Sequence, residues 1–184
     1  MTAEALALSK GRDVEALAAL AFARAGDLAR AEKLANQLDK EFPLNTMLQN
    51  YWLPITRAAI ALDQGNARDA IAALQNATSY ELGSPAQLPY APIYPAYLRG
   101  LAQTKAGKPQ LAAAEFQKML DHRSIMANSV LGPLSRLQLA RAQALNGDGA
   151  AARKSYQDFL GLWKDADPNI PILKQAKAEY AKLQ

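Results

Sequence analysis

The sequence predicts an all-α protein made of repeated antiparallel helix pairs, and three observations lead to this prediction. Glycines recur at a nearly constant interval, because Gly26, Gly65, Gly107 and Gly147 are separated by 39, 42 and 40 residues. Alanine- and leucine-rich amphipathic stretches lie on both sides of each glycine. Small residues also recur at fixed distances from it. Self-similarity at a period of about 40 residues is typical of helical-repeat architectures.

Each of these glycines marks a tight turn between two helices. Glycine adopts the positive φ that ends a helix at its C-terminus. Asp27 and Asp148 follow two of the glycines, and we expect them to cap the next helix. The predicted helices lie near 2–9, 12–25, 28–41, 46–64, 67–78, 92–106, 109–121, 130–146, 149–163 and 170–183.

Small and large apolar residues keep a constant register relative to the turns. Small residues at two positions would let the paired helices approach closely: Ala19, Ala58, Gly100 and Ala140 before the turn, and Ala31, Ala70, Ala112 and Ala152 after it. Larger residues further along the second helix would fill the groove to the following helix: Ala35, Leu74, Phe116 and Tyr156, then Leu38, Ala77, Met119 and Phe159.

Three segments depart from this simple alternation. Pro54 should kink the third helix of the pairs or mark its late start. The segment 83–95 carries four prolines and is predicted to be a loop. The helix near 170–183 has one apolar stripe and lysines elsewhere, as expected of a helix that caps the end of a repeat array.

The spacing of small residue, glycine, alanine and aromatic residue resembles the tetratricopeptide (TPR) motif, although the TPR period is about 34 residues. The resemblance implies a right-handed superhelix, an α-solenoid, formed by a single domain over residues 1–184. Its repeats would span 12–43, 46–82, 92–123 and 130–164, followed by the capping helix at 170–183.

Longer phrases resemble the C-terminal helical-repeat region of bacterial proteins that carry a eukaryotic-like serine/threonine kinase, or a winged-helix regulator domain, at the N-terminus. These phrases lie at 49–54, 79–83, 93–100, 115–123 and 155–184. The resemblance implies a cytoplasmic, non-catalytic C-terminal region or a lone copy of one. Its expected role is to bind a protein or peptide partner.

Composition and motifs argue against several other classes of protein. The chain has 184 residues and no cysteine, so disulfides and cysteine-based metal sites are excluded. No charge-free apolar stretch is long enough to span a membrane. The phosphate-binding and catalytic loops of kinases are absent. His122 is the only histidine, and Asp165–Asn169 lacks the later ligands of a calcium loop. We therefore expect no metal, no cofactor and no enzymatic activity.

A partner would lie on the inner surface that the first helices of TPR pairs form. Mapping the TPR groove positions onto this sequence selects Trp52, Tyr94, Tyr97, Lys105 and Arg141, with Asn50, Arg57 and Arg99 close by. Ile55, Asp63, Thr104 and Leu145 occupy matching positions. Tyrosine and arginine commonly anchor interfaces. The alternative for Trp52 is a core position, and the alternative for Tyr94 and Tyr97 is that they pack under the proline-rich loop.

The charge distribution leaves a second function open. The net charge is +4, with −2 over residues 1–92 and +6 over residues 93–184. A basic half could bind an acidic ligand or nucleic acid, as in the sensing domain of a transcriptional regulator. We expect a protein partner rather than nucleic acid, because drift in charge along a solvated helical surface is common.

Overall fold

The computed structural model describes residues 2–83, 92–126 and 129–183. Within these ranges the chain is all-α, as predicted, and has no strand. The described α-helices are α1 (Thr2–Leu8), α2 (Arg12–Arg24), α3 (Leu28–Glu41), α4 (Leu53–Asp63), α5 (Ala67–Ala73), α6 (Tyr94–Lys105), α7 (Pro109–Asp121), α8 (Arg123–Met126), α9 (Leu131–Leu145), α10 (Gly149–Leu162) and α11 (Pro171–Ala181).

Four helix pairs form the body of the protein. α2 packs on α3, α4 on α5, α6 on α7 and α9 on α10. Successive pairs are joined because α2 contacts α4, α4 contacts α6, and α7 contacts α9. α1 lies against α2 at one end, and α11 lies against α10 at the other.

The four turns within the pairs share one backbone geometry. Gly26, Gly65, Gly107 and Gly147 have φ values of 79°, 81°, 69° and 82°, as the sequence predicted. In each turn the residue after the glycine donates its N–H to a carbonyl five residues earlier, at 2.8–2.9 Å. This is the bond that closes a helix C-terminus with a left-handed residue.

Side chains then start the second helix of three pairs. The carboxylates of Asp27 and Asp148 each accept from a backbone N–H three residues later at 3.2 Å, which confirms both predicted N-caps. Asn66 accepts in the same way at 3.3 Å and is an N-cap that was not predicted.

The small residues lie where paired helices touch. All eight predicted positions are at most 1 % exposed where an exposure is given, and Gly100 is buried as well. A Cβ atom added to Gly100 would lie 2.6 Å from the Cε1 and Cζ atoms of Phe116 on α7. Glycine is therefore required there because the ring occupies the space of a side chain.

Near Pro54 the predicted helix starts late as an α-helix, at Leu53, one residue before the proline. A π-helical turn spans Leu48–Trp52, and Pro54 lies in the first turn of α4. The N–H of Leu53 bonds to the carbonyl of Leu48, five residues earlier. The wider turn gives the proline ring room next to the preceding carbonyls, so the chain stays helical through the proline.

One other boundary differs from the prediction, and one helix is additional. α5 ends at Ala73 rather than near 78, and a 3₁₀-helix follows at Asn76–Tyr80. The polar residues of that segment favour turns over α-helix because their side chains compete for backbone hydrogen bonds. The short helix α8 was not predicted. Of the predicted loop at 83–95, residues 84–91 lie outside the described residues.

The core has two parts. A large apolar cluster extends from α2 to α9, and a smaller one joins α9, α10 and α11. In the smaller cluster Leu173 and Ala176 of α11 are buried with Tyr156 and Phe159 of α10. The predicted apolar stripe of the last helix thus covers the second helix of the fourth pair.

Candidate interaction surface

The eight residues predicted to line one groove occupy different surroundings in the folded chain. Arg57 and Arg99 point towards second helices of the pairs. Arg57 Nη2 lies 2.5 Å from Asp39 Oδ2 on α3. Arg99 pairs with Glu115 on α7 and with Glu81, which follows the 3₁₀-helix. Both charges are therefore neutralised by carboxylates of the chain itself.

Arg99 is the centre of a buried ionic cluster. Its Nη1 and Nη2 atoms donate to the two carboxylate oxygens of Glu81 at 2.6 and 3.0 Å. Its Nε and Nη2 atoms donate to Glu115 at 2.7 Å each. Lys118 adds a 2.5 Å bond to Glu81, whose side chain is fully buried. The cluster ties the second helix pair to the third.

The pKa of Arg99 reflects these contacts. Burial alone would lower the pKa of the guanidinium, but hydrogen bonds to Glu115 and Glu81 outweigh it, and the pKa is raised. Arg99 thus stays charged, and its four carboxylate contacts together with a 3.3 Å bond from Nη1 to Thr78 Oγ1 leave no N–H donor for a partner.

The three aromatic residues of the predicted groove are core residues. Trp52, Tyr94 and Tyr97 are 6 %, 8 % and 5 % exposed. Tyr94 stacks on Tyr97, and Tyr97 meets the ring of Phe116 edge-on. The expectation that these rings offer an exposed surface is therefore wrong. Large rings near the start of a first helix fill the junction with the neighbouring helices, where burial is more favourable than contact with water.

The remaining polar positions are partly engaged by the chain itself. Asn50 donates its side-chain amide to the carbonyl of Thr46 at 3.1 Å. Lys105 Nζ donates to the carbonyl of Leu62 at 2.7 Å, near the C-terminus of α4, where a cation is favoured. Arg141 binds Glu179 of α11 through two bonds of 2.9 Å, and Tyr156 donates to the same carboxylate.

A cavity of about 320 Å³ lies between the C-terminal ends of three first helices. It is formed by α2, α4 and α6, so it lies on the side of the molecule where the groove was predicted. Its lining residues are Ala23, Arg24, Ala59, Leu62, Asp63, Leu101, Thr104 and Lys105. Asp63, Thr104 and Lys105 come from the predicted groove positions, and the others do not.

The cavity combines an apolar floor with a charged rim. Ala59 and Leu62 are buried, and Leu101 is half-buried. Arg24 and Lys105 are exposed cations on opposite walls. Asp63, also exposed, lies on the wall between them. An apolar side chain next to an acidic group matches this combination.

Tyr97 links this rim to the fourth pair. Burial raises the pKa of its phenol, while a hydrogen bond with Gln138 of α9 and the nearby charges of Arg24 and Arg141 act in the opposite direction. Arg24 and Arg141 therefore both lie near Tyr97, although they are far apart in sequence.

Part of the cavity lining follows a pattern in the sequence, including Arg24, which the TPR groove positions did not select. Arg24, Asp63 and Lys105 each stand two residues before a turn glycine. Aligning all four pairs on the glycine would have selected Arg24 together with the other two. The acidic partners Glu81, Glu115 and Glu179 carry no such register, and only the folded chain reveals them.

The described residues hold no group of three or more histidine, cysteine or acidic side chains arranged for a metal ion. Across the same ranges, every helix is too short or too polar to cross a lipid bilayer. Comparison of the chain with protein-family models, with curated proteins and with solved structures finds no match.

Proposed function

We propose that this chain is a protein-interaction module that binds a peptide segment of a partner in the cavity between α2, α4 and α6. The observation that carries the proposal is the joining of an apolar floor to an exposed Arg24 and Lys105 in one concavity of about 320 Å³. Peptide-binding sites commonly combine an apolar pocket with a few polar groups that fix orientation.

The proposal includes a TPR-like solenoid as the finer description of the fold. Identical turn geometry in four successive pairs supports it, as do the small residues buried at matched positions. Contacts between the first helices of neighbouring pairs also support it, because they produce a shared inner surface. The capping contact of α11 fits the end of such an array.

The favoured peptide carries an acidic residue beside an apolar one. A carboxylate can accept from Arg24, whose guanidinium forms two parallel bonds. The neighbouring apolar side chain would cover Leu62 and Leu101. Asp63 would disfavour a second acid at the centre of the rim, and this gives the site directional selectivity.

The chain's role as a non-catalytic region of a bacterial kinase-like or regulatory protein belongs to the same proposal, as does a cytoplasmic location. A domain that only positions a partner needs no catalytic group. The exposed cations and apolar floor provide binding without any pair of groups arranged as acid and base.

Selection from a random peptide display library tests the proposal. We expect enriched peptides to contain an acidic and an apolar residue in close succession. Arg24→Glu and Leu101→Glu should each weaken their binding about tenfold or more, the effect of losing an interface anchor. Arg68→Glu makes the same charge change as Arg24→Glu on the exposed side of α5 and should leave binding unchanged.

The basic second half of the chain favours nucleic acid as a second candidate. The ion pairs of Arg99, Lys118 and Arg141 weaken this candidate, because those cations are already neutralised. Nucleic-acid binding would fall steeply and log-linearly with salt, whereas peptide binding would fall moderately.

One result would contradict the placement of the peptide site. In that result, the selected peptides bind Arg24→Glu and Leu101→Glu as tightly as they bind Arg68→Glu and the parent chain.

A further inference from the structure

A second cavity, of about 380 Å³, lies between α7, α9 and α10 and contributes nothing to the proposed peptide site. Its walls include Arg123, which begins α8, Arg136 of α9 and Lys154 of α10. Gln117, Gln143, Ser155 and Asp158 complete its polar lining. Three cations thus face one concavity that contains a single carboxylate.

The cations in this cavity are incompletely neutralised. Arg136 Nη1 and Lys154 Nζ both lie 3.3 Å from the same oxygen of Asp158. These distances are long for charge-assisted hydrogen bonds, which are usually about 2.7–2.9 Å. Arg123 is exposed and forms no ion pair with any described residue. A net positive charge therefore remains in the cavity.

Arg136 adds an independent observation. Its Nε atom is buried and has no hydrogen-bond partner among the described residues. A buried donor without an acceptor costs about 1–3 kcal/mol and is uncommon in folded proteins. An acceptor bound in the cavity would satisfy this donor and one terminal nitrogen together, since the edge of a guanidinium presents two parallel N–H groups.

The neighbouring polar groups favour a small oxyanion with several acceptor oxygens. Ser155 donates its hydroxyl to Gln143 Oε1 at 2.7 Å, so the amide nitrogen is the end of the Gln143 side chain that remains to donate. The side-chain amide of Gln117 donates to Asp121 Oδ1 at 2.8 Å and is therefore already engaged. Arginine, lysine and amide donors around one concavity match the charge and the tetrahedral acceptors of a phosphate group.

We infer that this cavity binds a phosphate group, with Arg136 as its main ligand and Arg123 and Lys154 as additional cations. Asp158 competes with the phosphate for Arg136 and Lys154, so it sets the affinity. The phosphate site is separate from the peptide cavity, so the test of one does not decide the other.

Titration of the whole chain with inorganic phosphate at constant ionic strength, followed by calorimetry, tests the inference. Saturable binding is expected that chloride does not reproduce. Arg136→Gln and Arg123→Gln should each weaken binding about tenfold. Asp158→Asn should tighten binding, a change of opposite sign that general destabilisation cannot mimic. Lys174→Gln on the exposed part of α11 serves as the matched control and should have no effect.

A phosphoserine tripeptide and its unphosphorylated form identify the source of the group. Tighter binding of the phosphotripeptide than of inorganic phosphate would assign the site to a phosphorylated protein segment. Equal binding would assign it to the phosphate group alone. The inference would be overturned if neither inorganic phosphate nor the phosphotripeptide binds saturably. It would also be overturned if Asp158→Asn, Arg136→Gln and Arg123→Gln all bind phosphate with the affinity of the parent chain.

Discussion

Replacing Gly100 by alanine tests the packing of the third helix pair directly. Gly100 lies inside α6, and the added Cβ would stand 2.6 Å from two ring atoms of Phe116. Phe116 is fully buried, so its ring cannot move without displacing its neighbours, which include Tyr97. The substitution should therefore force a local rearrangement of α6 and α7.

Two effects of opposite sign decide the magnitude. Alanine is favoured over glycine inside a helix by about 1 kcal/mol. Overpacking of a well-filled core costs about 1–3 kcal/mol, and a contact this short lies near the upper end. We expect a net loss of about 1–2 kcal/mol in the free energy of unfolding. For a chain of this size, each kcal/mol corresponds to about 2–4 °C in the melting temperature.

Gly161→Ala is the matched control. Gly161 lies in the exposed last turn of α10, and no heavy atom lies within 4 Å of the added Cβ. This variant should gain about 0.5–1 kcal/mol, because only the backbone preference changes. Urea unfolding followed by circular dichroism measures both variants under identical conditions.

A double-mutant cycle with Phe116→Leu separates the steric contact of the added Cβ from the helix propensity of alanine. The smaller side chain leaves room for the added methyl group, so Phe116→Leu should cost less in the Gly100→Ala background than in the parent. Equal stabilisation by Gly100→Ala and Gly161→Ala would refute the reasoning. Additive effects in the cycle would refute it as well.

Two further predictions concern buried polar groups. Glu81→Gln should lower the free energy of unfolding by about 3 kcal/mol, because Glu115 alone then faces Arg99 and Lys118 and one partly buried positive charge stays uncompensated. Asp39→Asn should cost less than about 1 kcal/mol, since its pair with Arg57 is exposed; similar losses in urea unfolding would contradict the assigned role of burial. Stability should also fall as the pH rises above about 10, because burial raises the pKa of three tyrosines, and the unfolded chain then loses their protons first. These tyrosines are Tyr51, Tyr97 and Tyr156. Urea midpoints that stay constant through the alkaline range would contradict this sign.

The sequence alone determined the helix pairs, because the signals involved are local. At Gly26 and Asp27 both signals act within one turn of the chain. The glycine adopts a positive φ, and the carboxylate accepts from a backbone N–H three residues later. The alanines that allow close approach depend only on a fixed distance from that turn. These patterns do not depend on how the helix pairs are arranged in space, so they could be predicted from the sequence without the tertiary structure.

The tertiary structure alone decided which polar side chains are available to a partner. Arg99 meets Glu81 18 residues away, and Arg141 meets Glu179 38 residues away. Helical register places a residue on a face, but it does not say which side chain of a neighbouring helix lies opposite. Ion pairing and ring burial depend on that opposite side chain, because charges and apolar surface are stabilised by what surrounds them in space. For this reason most of the predicted groove residues became core residues or paired cations, while Lys105 lines the cavity with the unforeseen Arg24 and Leu101.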